Sequence, residues 1–235
     1  MCSLSYIPQA EGYILSHNRD ELPNRESSSR IIDEDGLRGT FHFPQDLKAG
    51  GSWMGAHESG WSACLLNGGS VPYLRKLPYR HSRGKVLIDF LEDPSIDAFQ
   101  KIDYQGVEPF TLILSKPGEL WQLEHNPDGD IWNHLDPLKP HFWSSTKLYH
   151  PNIREARKYR FEQWLHQQKQ AKASDLRQFH LDPQRSPREG GLLLGPNFPL
   201  KTVSFCQVNH QASEIQFQYD YLLKEVSDHR NWSIR

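Results

Sequence analysis

The 235-residue chain has few cysteines and no excess of either charge: three Cys, and 27 Lys+Arg against 29 Asp+Glu, for a net charge of -2. Cys2, Cys64 and Cys206 cannot all pair within one chain, so a disulfide scaffold is excluded and a reduced, cytoplasmic setting is expected. The even charge balance removes the broad basic field through which a protein grips nucleic acid or a membrane surface. No apolar run approaches the roughly 20 residues of a membrane helix. The opening Met-Cys-Ser-Leu-Ser also lacks the basic and then apolar pattern of a secretory leader. These absences leave a small-molecule ligand or a protein as the expected partner, with no nucleic acid and no stable membrane insertion.

Motifs for metals and nucleotides are missing as well. Twelve histidines occur without an HExxH, CxxC or HxxxH cluster, so no metal site is expected. There is no CxxCH for covalent haem attachment. Gly50-Gly51 and Asn67-Gly68-Gly69 have neither GxxxxGK spacing nor the strand and helix context of a dinucleotide loop.

What is present is a series of short β-runs joined by turn residues. Cys2 to Ile7 and Gly12 to His17 read as a hairpin, as do Ser52 to Ala56 and Trp61 to Leu66. Phe110 to Ser115, Glu119 to His125 and Asp130 to Leu135 form a third group, and Thr202 to Val208 with Glu214 to Tyr219 a fourth. The polar segment Asn18 to Phe43 reads as loop. One helix starts after Ser82 as N-cap, buries Val86, Leu87, Phe90 and Leu91, and stops at Pro94, with a short turn at Ile96 to Phe99. A second runs from Asn152 to Gln168, with Asn152 and Glu155 as a capping box and Ile153, Ala156, Phe161, Trp164 and Leu165 on its apolar stripe. Ser174 to Pro199, rich in Pro and Gly, reads as an irregular connection. Antiparallel pairs early and late with helices between them imply one α+β domain over 1–235, with two sheets face to face and helices outside.

Several residues can carry chemistry. Cys2 follows Met1; if Met1 is removed, the thiol stands beside its own α-amine, which can act as its base. A cysteine on a first strand reads equally well as a small packed hydrophobe. His17-Asn18-Arg19-Asp20-Glu21 ends the second run and can line a cleft, or form a solvated turn. Glycines before Trp53 point to a close backbone approach, with Trp53 as an apolar wall. Asn67 can offer an amide to an oxyanion or serve as a turn residue, and Ser82-Arg83-Gly84 can hold an anion at a helix start.

Taken in order, Met1-Cys2, Asn18-Arg19-Asp20-Glu21, Gly50-Gly51-Ser52-Trp53-Met54-Gly55, Leu66-Asn67 and Ser82-Arg83-Gly84 resemble the NRDE family, also called the transport and Golgi organisation protein 2 family. Pro109-Phe110 and Lys201-Thr202-Val203-Ser204 extend the likeness. That family is similar in fold to N-terminal-nucleophile hydrolases, which implies a four-layer αββα sandwich. By position, Cys2 matches their nucleophile, Asp20 the aspartate near its amine and Asn67 an oxyanion donor. His17 stands where those hydrolases generally carry Arg. The resemblance also implies haem trafficking and lipid or acyl-CoA homeostasis.

Three readings follow. The first is a haem handler holding haem as non-covalent cargo, with Trp53 against the macrocycle, Arg19 and Arg83 on its propionates, and His17 and Asn18 lining the same site. The second is a cysteine amidohydrolase using Cys2, Asp20 and Asn67. The third is an interaction module in lipid or secretory homeostasis, presenting the polar face of the second helix.

Overall fold

A computed structural model describes residues 2–195 and 197–234; Met1 and the question of its removal lie outside the described residues. The chain opens with strands β1 (Cys2–Gln9) and β2 (Gly12–Glu21), then β3 (Ile32–Gly36), β4 (Gly39–Phe43), β5 (Met54–His57) and β6 (Ser62–Asn67). Helices α1 (Arg83–Glu92) and α2 (Ile96–Phe99) follow, and then β7 (Phe110–Lys116), β8 (Glu119–Asn126), β9 (Gly129–His134) and β10 (His141–Ser144). The last third contains α3 (Pro151–His166), α4 (Ala173–His180), a short 3-10 turn at Pro187–Glu189, β11 (Lys201–Gln211), β12 (Glu214–Tyr221) and β13 (Val226–Ser233).

Two antiparallel sheets result. One has the order β10-β1-β2-β11-β12-β13, the other β3-β4-β5-β6-β7-β8-β9. Alternation along each strand sorts the side chains between three apolar layers. Leu4, Tyr6, Tyr13, Leu15, Met54, Cys64 and Val208 meet between the sheets. Phe41, Leu65, Leu112 and Leu114 bury the outer face of the second sheet against Val86, Leu87, Phe90 and Leu91 of α1. Ile7 and Ile14 do the same for the first sheet against Phe161 of α3 and Leu176 and Phe179 of α4. The fold is the four-layer αββα sandwich expected from the sequence.

The expected loop from Asn18 to Phe43 instead continues β2 to Glu21 and contains β3 and β4. β3 shows no alternation because it is an edge strand whose Asp33, Glu34 and Asp35 all face solvent. The connection from Ser174 to Pro199 likewise lies partly within α4, which packs Leu176, Phe179 and His180 inward. α3 begins one residue earlier than the sequence indicates, and its cap is His150, which accepts from the Asn152 amide. Its two fully buried side chains are Phe161 and, contrary to the polar face expected there, Arg157. At the open side of the sandwich, Arg230 of β13 clasps Asp33 of β3 at 2.9 Å, joining the edge strands of the two sheets.

The start of α1 is held unusually close to the chain before β5. Ser82 caps the helix by accepting from the Gly84 amide, and the Ser52 amide donates to the Gly84 carbonyl at 3.1 Å. A Cβ on Gly84 would lie 2.7 Å from the Ser52 carbonyl oxygen and 2.8 Å from its nitrogen, so only glycine permits this approach. Helix propensity alone would make Gly84→Ala stabilising by up to ~1 kcal/mol. The backbone clash reverses the sign, and we expect a loss of about 1–3 kcal/mol. A urea melt decides between them: an unchanged or raised midpoint would show that the two backbones part freely.

Candidate active site

Cys2 and Arg19 are register partners on β1 and β2, so their side chains emerge on the same face, toward the space between the sheets. They line a cavity of about 70 Å³ together with Trp53, Asn67, Ser82, Arg83 and Gly84. Ser145 fixes the relation of Cys2 to Asn67: its amide donates to the Cys2 carbonyl at 2.9 Å, and its hydroxyl donates to the Asn67 carbonyl at 2.7 Å. Five residues singled out from sequence, Cys2, Arg19, Trp53, Asn67 and Arg83, thus converge on one cavity.

Three guanidiniums line that cavity, and each faces a carboxylate. Arg19 donates to Asp46 at 2.6 Å and to Ser27 at 2.8 Å, and lies over the Trp53 ring at 4.3 Å. Arg25 joins the same carboxylate at 2.7 Å. Arg83 faces Glu108 at 3.4 Å and donates to the Pro109 carbonyl. Burial pushes the Cys2 thiol up, the Asp20 charge adds to this, and the Arg19 charge acts more weakly in the opposite direction. A guanidinium therefore does stand near this thiol, although it comes from Arg19 and not from position 17.

His17, Asn18 and Asp20 do not line the cavity. His17 pairs across the sheet with Leu4 and Cys206, is fully buried, and has neither ring nitrogen in a hydrogen bond. Burial holds it well below the usual histidine range, hence neutral. Asn18 and Asp20 point to the opposite face, beneath α3 and α4. There Asn18 donates to the carbonyls of His180 and Leu192. Asp20 accepts from Thr202 at 2.6 Å and from the Tyr149 hydroxyl. Burial raises the Asp20 carboxyl, opposed by Arg157 and these two hydrogen bonds. Arg157 itself stacks on Tyr149 at 3.8 Å and donates to Ser3 at 3.0 Å. Asp20 lies one position beyond Arg19, the strand partner of Cys2, and so next to the point where a processed chain would begin.

Sequence reading missed Asp46, Ser145, Tyr149 and Arg157. Thr202 stood in a motif already singled out, but nothing tied it to Asp20, 182 positions away. Among the described residues, no group of His, Cys, Asp and Glu is suited to hold a metal ion, and no helix is long and apolar enough to cross a membrane.

The family profile described as "Transport and Golgi organisation 2" matches residues 1–193. The chain belongs to that family. No curated protein matches the sequence. Among solved structures, a Caenorhabditis elegans ortholog of N-acylethanolamine-hydrolyzing acid amidase is similar over 88% of this chain and 92% of its own, with a TM-score of 0.60 at 15% identity. Penicillin V acylase from Agrobacterium tumefaciens aligns over 97% and 85%, with a TM-score of 0.55 at 13% identity. A mutant of the conjugated bile acid hydrolase from Clostridium perfringens aligns over 100% and 97%, with a TM-score of 0.56 at 8% identity. At such identities the likeness establishes the fold, which is that of the N-terminal-nucleophile hydrolases.

The outer-face network makes a pH prediction. His180 bonds the Asn18 carbonyl oxygen at 3.0 Å and the Ser5 hydroxyl at 2.7 Å, and burial lowers its pKa to about 3. Asn18 Oδ1 can only accept, so Nδ1 carries the proton and Nε2 accepts from Ser5. The unfolded histidine titrates near ~6.5. Between that value and about 3 the unfolded chain binds the extra proton, so stability is fully present above the unfolded value and is lost as the pH falls. This group contributes a slope of up to about 1.4 kcal/mol per pH unit. His180→Gln should flatten the acid limb of the stability profile by that share; an identical slope in the variant would show that His180 is not the titrating group.

Proposed function

We propose that the chain is an N-terminal-cysteine amidohydrolase acting on a small amide. The observation that carries this reading is the meeting of Cys2 and Asn67 in one cavity, tied together through Ser145, with the Arg19 cation beside the thiol. Two of the structural neighbours are named for hydrolysing N-acylethanolamines and conjugated bile acids, which supports the reaction class.

With Met1 removed, the Cys2 thiol gives its proton to its own α-amine, and the sulfur attacks the amide carbon. The carbonyl oxygen becomes an oxyanion that accepts a hydrogen bond from the Asn67 side-chain amide, which has no protein partner among the described residues. The ammonium returns its proton to the leaving nitrogen as the C–N bond breaks, leaving a thioester on Cys2. Water, deprotonated by the same amine, attacks the thioester and releases the acid. Asp20, held by Thr202 and Tyr149, orients the amine. A cavity of about 70 Å³ accommodates the scissile group, with the rest of the substrate outside it.

Haem carriage, which the family resemblance implies, finds less support in the geometry. The cavity is far smaller than the ~300–1,000 Å³ of typical ligand sites. Arg19 and Arg83, the residues expected to hold propionates, already face Asp46 and Glu108. The neighbouring cleft of about 380 Å³, lined by Phe142, Trp143 and Arg154, has no Cys, His or Tyr in its lining to ligate iron.

Intact mass of the purified protein should show Met1 absent, and turnover of a fluorogenic acyl amide should disappear in Cys2→Ala. Asn67→Ala should keep KM while lowering kcat by roughly 10²–10³. Processed protein without turnover, together with a saturable Soret change on haem titration, would replace this reading with the carrier.

A further inference from the structure

We propose that the loop from Val71 to Arg80 docks the protein on an anionic lipid surface. Its tip carries Leu74 and Leu77, 86% and 69% exposed, and Leu74 has the highest fractional exposure of any large hydrophobic among the described residues. Between and after these leucines stand Arg75, Lys76 and Arg80, while the segment Val71-Pro72-Tyr73-Leu74-Arg75-Lys76-Leu77-Pro78-Tyr79-Arg80 contains no acid. The net charge of the chain conceals this local concentration. Exposed leucines among cations are what an interfacial anchor needs: the leucines enter the acyl boundary while the cations meet lipid phosphates. A neutral surface would satisfy only the first, so the cations select an anionic one.

The base of the loop is fastened, so the tip is presented in a fixed place. Tyr73 donates to Glu108 at 2.9 Å, and Lys147 lies over its ring at 4.3 Å. The Lys76 amide donates to the Tyr79 hydroxyl, and the Arg80 amide to the Gly106 carbonyl at 2.7 Å. Glu108, buried and shared between Arg75 at 3.5 Å and Arg83 at 3.4 Å, and Asp89, which interacts with Arg80, are acids facing the loop, and Lys76 at the tip has no ion-pair partner among the described residues. Arg83 also lines the Cys2 cavity, so docking would set that cavity close to the lipid surface. The inference does not rest on the hydrolase reading, because vesicle binding is measured without turnover.

The test is cosedimentation of the full chain with phosphatidylcholine vesicles, with and without phosphatidylglycerol. Binding is expected to the mixed vesicles, weakened on the order of tenfold when the anionic lipid is left out or salt is raised. The double variants Leu74→Ser with Leu77→Ser, and Arg75→Gln with Lys76→Gln, should each reduce partitioning on the order of tenfold at an unchanged thermal melt. Leu138→Ser, at a comparably exposed leucine elsewhere, should bind as wild type. Absence of binding to the mixed vesicles, equal binding to both vesicle types, or loop variants that bind like wild type would each overturn the proposal.

Discussion

The register between β1 and β2 is the constraint from which the site is built. Successive strand residues face opposite ways, so pairing Cys2 with Arg19 decides at once what lies inside the sandwich and what lies beneath its helices. Cys2, His17 and Arg19 face inward; Ser3, Asn18 and Asp20 face α3 and α4. A slip of one residue would exchange the two sets, removing the thiol from its cavity and placing the Asp20 carboxyl among apolar side chains. Both faces of this hairpin are buried, so the packing on each side resists such a slip.

The charged groups on either face are held by different means. Inside, Arg19 is matched by Asp46 and covered by Trp53, which keeps a cation near the thiol without leaving it unpaired. Outside, Asp20 is held by hydroxyls of Thr202 and Tyr149, and Arg157 reaches it through the tyrosine that it stacks upon. A buried charge stripped of its partners is costly, so these networks are as much part of the fold as the apolar layers. They also join distant stretches of chain: Asp20 near the start, Tyr149 and Arg157 in the middle, and Thr202 near the end.

Where a strand was rich in apolar residues and ended in a short turn, its place could be read from the residues, and the hairpins around Gly60, Gly118 and Ser213 are of this kind. Of the four edge strands β9 was read, but β3, β10 and β13 were not: β3 carries three acids in succession, and β13 alternates only between half-covered and exposed positions. Hydrophobic periodicity reports burial, and an edge strand has little to report. The cavity was legible as five separate residues, because Cys2, Arg19, Trp53, Asn67 and Arg83 each stood in a motif. Their supports were not. Asp46 looks like any loop acid, and Arg157 like a solvated residue on a charged helix, until the fold brings Tyr149 and Ser3 to it.

The clasp between Arg230 and Asp33 has a consequence beyond holding the open side of the sandwich. It ties together β13 and β3, whose outer backbone groups are free to pair with a further strand. Such edges are where identical chains add to one another and begin to aggregate. Here they carry Asp33, Glu34 and Asp35 on one strand and Asp228, His229 and Arg230 on the other. A second copy approaching β3 would have to bring like charges together, and one approaching β13 would have to desolvate Asp228 and Arg230, so the polarity that hides these strands from sequence reading also opposes edge-to-edge addition.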